Sequence, residues 1–155
     1  MTPEDRSAVC EALLASTADA IVMCAGDGVI RFWSPGAERI FGFTAEEAVG
    51  QSLDIIIPEP QRARHWVGFD RVMAGGHSRF GEGELLAVPA LHRDGRRISV
   101  EFTIAPVHDA NGATTAMAAI LRDVTARFEE LRSLRRRLAA SGGAPPAAGA
   151  GQPGG

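Results

Sequence analysis

His65 is the residue whose type and setting could do chemistry. It lies in the stretch PEPQRARHWVGFDRVMAGGHSRF, with Phe69 and Val72 following at four and seven residues, the spacing of one helical stripe. An imidazole on an apolar stripe that faces a pocket is poorly placed unless something satisfies its nitrogens. Neutral imidazole is also a good ligand for iron and other transition metals. Arg71 stands six residues on, about 9 Å further along a helix axis and on a different face. That reach suits a peripheral carboxylate rather than the centre of a ligand. A plainer reading stands beside this one. A histidine on a helix is commonly a surface residue or a hydrogen-bonded core residue, and Trp66 and Phe69 would then only pack. His77, His92 and His108 sit beside turns and read as solvated, with His92 able to hydrogen-bond locally.

The rest of the chain offers little for catalysis, and no enzyme is expected. It holds no nucleophile paired with a base, no HExxH, no phosphate-binding loop and no carboxylate pair of meaningful spacing. It has no lysine, which excludes Schiff-base chemistry. Cys10 and Cys24 form no CxxC pair, so neither a cysteine zinc site nor a disulfide framework is indicated. The 155 residues are 45% hydrophobic and 23% charged, the balance of one ordinary globular domain with short appendages. No apolar run approaches the roughly 18 residues of a membrane span. The start, MTPEDRSAVCEALL, lacks the basic-then-apolar layout of a signal peptide. The expected compartment is the cytoplasm, with no membrane partner. Charge is uneven: residues 1–60 carry −7 and residues 61–155 carry +4, all of the positive charge being arginine.

The elements that must position His65 can be read from pattern. Residues 3–16 read as a helix, with Pro3 in the first turn, Glu4 and Asp5 at its positive end, and a stripe of Val9, Leu13 and Leu14. Three turn pairs, Asp27-Gly28, Asp94-Gly95 and Asn111-Gly112, stand between apolar alternations and predict hairpins. They join 20–25 to 29–34, 84–91 to 97–106, and that strand to 114–123. Pro89 predicts an edge or a bulge. Short helices fill the middle: one over 38–41, one capped by Thr44 with Glu47 completing a capping box, and the longest over 61–73, stopped by Gly75-Gly76. A last helix over 123–140 places Val124, Phe128, Leu131 and Leu138 on one seam. The fold class is therefore α+β, with two strand groups pairing into one antiparallel sheet and helices covering one face. The domain limits are residues 1–17 for a flanking helix, 18–125 for the globular domain, 126–140 for an exit helix and 141–155 for a Gly/Pro/Ala tail expected to be disordered.

That order and its motifs resemble the PAS domain family. Trp33-Ser34 stands where an aromatic-Asn pair is common; Ala37-Glu38, Phe41-Gly42-Phe43 and Glu46-Glu47-x-x-Gly50 follow in register. Later, HRDGRRISVEFTIAPV and AAILRDVTAR look like the last three strands and the Asp-x-Thr exit into a signalling helix. The resemblance implies a five-stranded antiparallel sheet cupping a ligand beneath the middle helices. Neither cysteine lies in the Asn-Cys-Arg-Phe stretch of flavin photoreceptors, nor where a thioester chromophore would attach. Pro58-Glu59-Pro60-x-Arg62-x-x-His65 is instead similar to the haem-binding PAS domains of rhizobial oxygen-sensor histidine kinases. The Gly75-Gly76 stop and Arg79 also match members of that group. The resemblance implies haem b, with His65 as the iron ligand and Arg71 near a propionate. Relatives often carry a distal Arg or Met on the strand after the middle helix. Here the register places Gly83, Glu84 and Leu85 there, or Leu86 after a shift of one, and no Arg or Met lies between Phe80 and Leu91. The expected cofactor wall is Phe69, Val72, Leu85, Leu86, Ile104, Met117 and Ile120. Such an apolar wall favours carbon monoxide or nitric oxide over stable oxygen.

Two functions compete: a haem-based sensor of a diatomic gas or redox state, acting in signal transduction with regulation of transcription through a partner as one output, and a cofactor-free PAS module for protein–protein or small-ligand binding. Nucleic-acid binding through Arg132, Arg135, Arg136 and Arg137 is disfavoured, because their helix has no stacking aromatics or recognised DNA motif. No kinase or DNA-binding output is expected after the last helix. That helix is expected to dock on a downstream partner or to pair in a homodimer through residues 3–16 and 124–138.

Overall fold

The computed structural model of the protein describes residues 1–76 and 87–142. His77, Arg79, Leu85, Leu86, the expected strand start at Glu84 and the tail from residue 143 lie outside the described residues. Among the described residues, those up to Thr125 belong to one compact unit and residues 126–142 to a second.

The elements run α1 (Pro3–Leu14), β1 (Ala20–Ala25), β2 (Ile30–Trp33), α2 (Pro35–Phe41), α3 (Ala45–Ala48), a 3-10 turn (Leu53–Ile56), α4 (Glu59–Met73), β3 (Val88–Leu91), β4 (Arg97–His108), β5 (Thr114–Asp123) and α5 (Thr125–Ser141). The strands form one antiparallel sheet in the order β2-β1-β5-β4-β3. The two strand groups meet where β1 pairs with β5. Pro89 falls on β3, an edge strand, as its missing N–H requires. The 3-10 turn is not legible in the apolar pattern; Ser52 caps it by accepting from Asp54 N–H.

Side-chain alternation divides the sheet into two faces. Ala20, Val22, Cys24, Ile30, Trp33, Ala90, Ile98, Val100, Met117 and Leu121 are buried on the inner face, which the middle helices cover. Trp33 and Phe41 meet at 5.4 Å between ring centroids at the base of this core.

Helix α2 begins earlier than its apolar residues suggest. Ser34, fully buried, caps it by accepting from Ala37 N–H, and the same hydroxyl oxygen accepts from Ile21 N–H at 2.8 Å. From α2, Arg39 donates to the carbonyls of Thr17 and Ala18, both at 2.7 Å. Arg122 makes a two-pronged contact with Asp19 at 3.0 and 2.8 Å. The segment leading into β1 is thus held from both sides.

Helix α1 forms over Pro3–Leu14 as expected, and the structure adds a Thr2–Asp5 capping box at its start. Its expected stripe is not buried: Val9, Leu13 and Leu14 are all exposed. The seam of α5 also needs correction. Val124 precedes the helix and is buried, its N–H donating to the Ser99 carbonyl, so it serves the end of the sheet. The apolar residues left exposed on α5 are Phe128, Leu131, Leu134 and Leu138.

Candidate functional site

Helix α4 positions the residues that sequence spacing singled out. Its first turn follows Pro58 and contains Pro60, whose fixed φ and lack of N–H suit that turn. Arg62 ties it to the preceding turn by donating to the carbonyls of Ile57 at 3.0 Å and Asp54 at 3.3 Å. Trp66 adds a second tie, its indole N–H donating to Asp54 Oδ1 at 2.8 Å. The indole also lies over the β1–β2 turn. A Cβ on Gly28 would come within 2.3 Å of that ring, so this close approach requires glycine. The helix stops at Gly75, with φ of 86°, where Gly75 N–H and Gly76 N–H bond back to Val72 and Arg71 carbonyls.

Phe69 and Val72 are buried within the core and share its cluster with Met117. Ile104 and Ala119, directly paired on β4 and β5, are half-buried on the inner face and pack against this cluster. Ile120 does not belong with them. It is 49% exposed and sits on the outer face, because strand alternation sends it opposite to Met117, Ala119 and Leu121. Ala119 and Phe102 take the inner-face places. Cys24 also faces inward beside Met117, and burial pushes its thiol up to about 12, so it is present as a neutral thiol.

His65 is half-buried, packs edge-on against Trp66 at 4.7 Å and lies tilted against Phe69 at 6.1 Å between centroids. Its Nδ1 is buried and has no hydrogen-bond partner among the described residues. Burial pushes its pKa below the ordinary value, with the Asp54 charge opposing weakly, so the neutral ring is favoured. The stability consequence follows in sign. The neutral ring's contribution is complete above the unfolded-state value of 6.5, and is lost as pH falls from there through the lowered folded-state value. The midpoint of urea unfolding should therefore fall on acidification below 6.5, and His65→Leu should flatten that stretch of the profile. A wild-type profile as flat as the variant's would refute this.

Arg71 lies on the exposed side of α4, and no described carboxylate pairs with it. His92 is less solvated than its turn position suggests. Its ring is folded against Gly42, and its Nδ1 accepts from Asp94 N–H. His108 is exposed and meets Thr114 Oγ1 at 3.2 Å. Two residues of the site are missed by reading the sequence alone. Asp54 anchors Trp66, and Gln61, one turn before His65, has a buried Oε1 with no partner among the described residues. The four-residue spacing of Gln61 and His65 is the available signal for the second. No cluster of three or more His, Cys, Asp or Glu able to hold a metal occurs among the described residues, and no described helix is long and apolar enough to cross a membrane.

On α4, a half-buried imidazole packs against Trp66 and Phe69, Phe69 and Val72 join the core cluster, and Arg71 is exposed on the same helix. The residues fit a metal-centred apolar cofactor in one specific respect: a buried imidazole nitrogen lacks a partner and the ring is held neutral, the form that coordinates a metal.

The chain is similar to known proteins. Sensor protein FixL of Bradyrhizobium diazoefficiens is 32% identical over 129 residues, covering 78% of this chain and 25% of that protein. Oxygen sensor protein DosP of Escherichia coli is 27% identical over 111 residues, covering 72% and 14%. The chain thus spans a quarter or less of the length of these relatives. Among solved structures, the PAS domain of a protein from Colwellia psychrerythraea matches with a TM-score of 0.64 at 24% identity, over 78% of this chain and 98% of that one. An RNA-binding light-oxygen-voltage receptor matches with a TM-score of 0.69 at 17% identity, over 90% and 39%. These likenesses carry the fold alone. No catalytic family is indicated. The family model described as PAS fold matches residues 14–129, three quarters of the chain, and with the five-stranded sheet it shows that this chain belongs to the PAS family, as a sensory module related to FixL and DosP.

Proposed function

We propose that the domain binds haem b through His65 and senses a diatomic gas or redox state. The observation that carries this reading is a half-buried imidazole on α4, favoured neutral and packed against Phe69, whose Nδ1 no described residue holds; Phe69 shares its core cluster with Val72 and Met117, and Ile104 packs against that cluster. When bound, the haem supplies an iron centre for the gas or electron. The chain's own residues do the rest: His65 offers a nitrogen lone pair, the apolar wall excludes water, and Arg71 offers a cation to a peripheral carboxylate. The relatives, a sensor protein and an oxygen sensor protein, support the sensing role. The test is an absorption spectrum after haem is supplied, beside His65→Ala. A stoichiometric Soret band, lost or shifted in the variant, is the expected result. A colourless protein, or a band indifferent to His65, refutes the proposal and leaves the cofactor-free interaction module.

The same reading makes the protein a cytoplasmic homodimer that signals to a partner through α5. Both α1 and α5 carry large apolar residues that are exposed among the described residues: Val9, Leu13 and Leu14 on the first, and Phe128, Leu131, Leu134 and Leu138 on the second. Isolated helices of this length are marginal in water, so burial of these residues in a second copy would stabilise them. Light scattering at micromolar concentration should give twice the chain mass, and Leu131→Glu with Leu134→Glu should shift it toward the monomer. A monomeric wild type would sink the homodimer.

A further inference from the structure

Among the described residues, two buried side-chain polar atoms lack a hydrogen-bond partner, Gln61 Oε1 and His65 Nδ1. They belong to residues four apart in α4, so their side chains share one face and sit one turn apart. Helical side chains lean toward the N-terminus, which carries the His65 ring back over the turn that bears Gln61. The neighbouring polar groups of that turn are already engaged. Trp66 N–H is given to Asp54, and the Arg62 guanidinium is given to the Ile57 and Asp54 carbonyls. One orphan is an amide oxygen that only accepts. The other is a ring nitrogen that carries the proton once Nε2 is engaged elsewhere. A histidine that ligates a metal nearly always donates its other N–H, which fixes the ring's orientation and raises its basicity.

We infer that Gln61 is the positioning residue of His65, its Oε1 accepting the Nδ1–H of the ring when Nε2 holds the iron. The inference rests on the haem reading above and adds a residue to it. Rotation about the three side-chain bonds of Gln61 brings the oxygen to the ring without moving the helix. Both orphaned atoms are satisfied at once, so ligation of the iron and ordering of Gln61 occur together.

The test uses the full chain loaded with haem and reduced, compared with Gln61→Leu and Gln61→Glu. Gln61→Leu should shift the iron–histidine stretching band to lower frequency, raise the reduction potential and weaken haem retention about tenfold. Gln61→Glu, a stronger acceptor, should move the band and the potential the opposite way. Without haem, Gln61→Leu should melt no lower than wild type, because it removes a buried unpaired acceptor. A normal Soret band that depends on His65, with band position and potential unmoved in both Gln61 variants, would overturn the inference and leave haem binding intact. A Soret band absent from wild type, or indifferent to His65→Ala, would overturn both.

Discussion

Gly36→Ala is expected to lower the melting temperature of the domain by roughly 10 °C or more. A Cβ at this position would lie 1.9 Å from the Asp19 carbonyl oxygen, 2.6 Å from its carbon and 3.2 Å from the Ser16 carbonyl oxygen. All three are backbone atoms, so no side chain can swing aside. Nor can the segment retreat freely. Arg39 holds the carbonyls of Thr17 and Ala18, Arg122 holds the Asp19 carboxylate, and Ser34 ties Ile21. Relief of the clash must break several of these contacts or pull the buried residues of α2 itself, Ala37, Ile40 and Phe41, out of the core. Overpacking alone costs about 1–3 kcal/mol and more where the backbone must move, against a total of roughly 5–15 kcal/mol. The melting temperature should fall by roughly 10 °C or more. Gly68→Ala is the matched control. That glycine lies inside α4, and a Cβ there would meet nothing within 4 Å. The haem-free variant should therefore gain about 0.5–1 kcal/mol from helix propensity. Equal melting temperatures for Gly36→Ala and wild type would show that the chain's approach to α2 is looser than these contacts imply.

The difference between those two glycines marks how far the sequence can be read. The strands 20–25 and 114–123 are legible because turn pairs bracket clean alternations, and the Thr44–Glu47 capping box because its residue types are specific at that spacing. Which glycine abuts backbone is not legible, since that depends on α2 docking over residues 16–19 from elsewhere in the fold. Ile120 fails for a related reason. Its apolar character suggests the core, yet the exposed outer face also accepts large apolar residues, and only the register with Thr103 and Ile21 fixes its direction. Val124 looks like the first residue of a helical seam because the apolar spacing continues through it. Its N–H to Ser99 shows the sheet still governs that position. Gln61 escapes notice because a glutamine on a helix is ordinarily solvated; its importance arises from burial, which spacing alone does not give.

Placing the wall residues correctly sharpens the expectation for ligand choice. With Ile120 removed from the wall, the inner face of β4 and β5 near the α4 cluster presents Phe102, Ile104, Met117 and Ala119. None of these side chains carries an N–H or O–H donor. Oxygen gains more from a donor than carbon monoxide does, because it becomes more polar when it binds reduced iron. A hydrogen bond to a charged group is worth about 1.5–3 kcal/mol, roughly a 10- to 150-fold change in affinity. The reduced, haem-loaded protein should therefore bind carbon monoxide well and oxygen weakly. Ile104→Gln, which places an amide on the half-buried inner face, should raise oxygen affinity by roughly tenfold or more while changing carbon monoxide affinity far less. The comparison separates polarity from simple space, since Ile104→Leu keeps the volume and adds no donor. Equal gains for both gases in the glutamine variant would assign the effect to access rather than hydrogen bonding. A wild-type protein that already prefers oxygen would show that a donor outside this wall reaches the site.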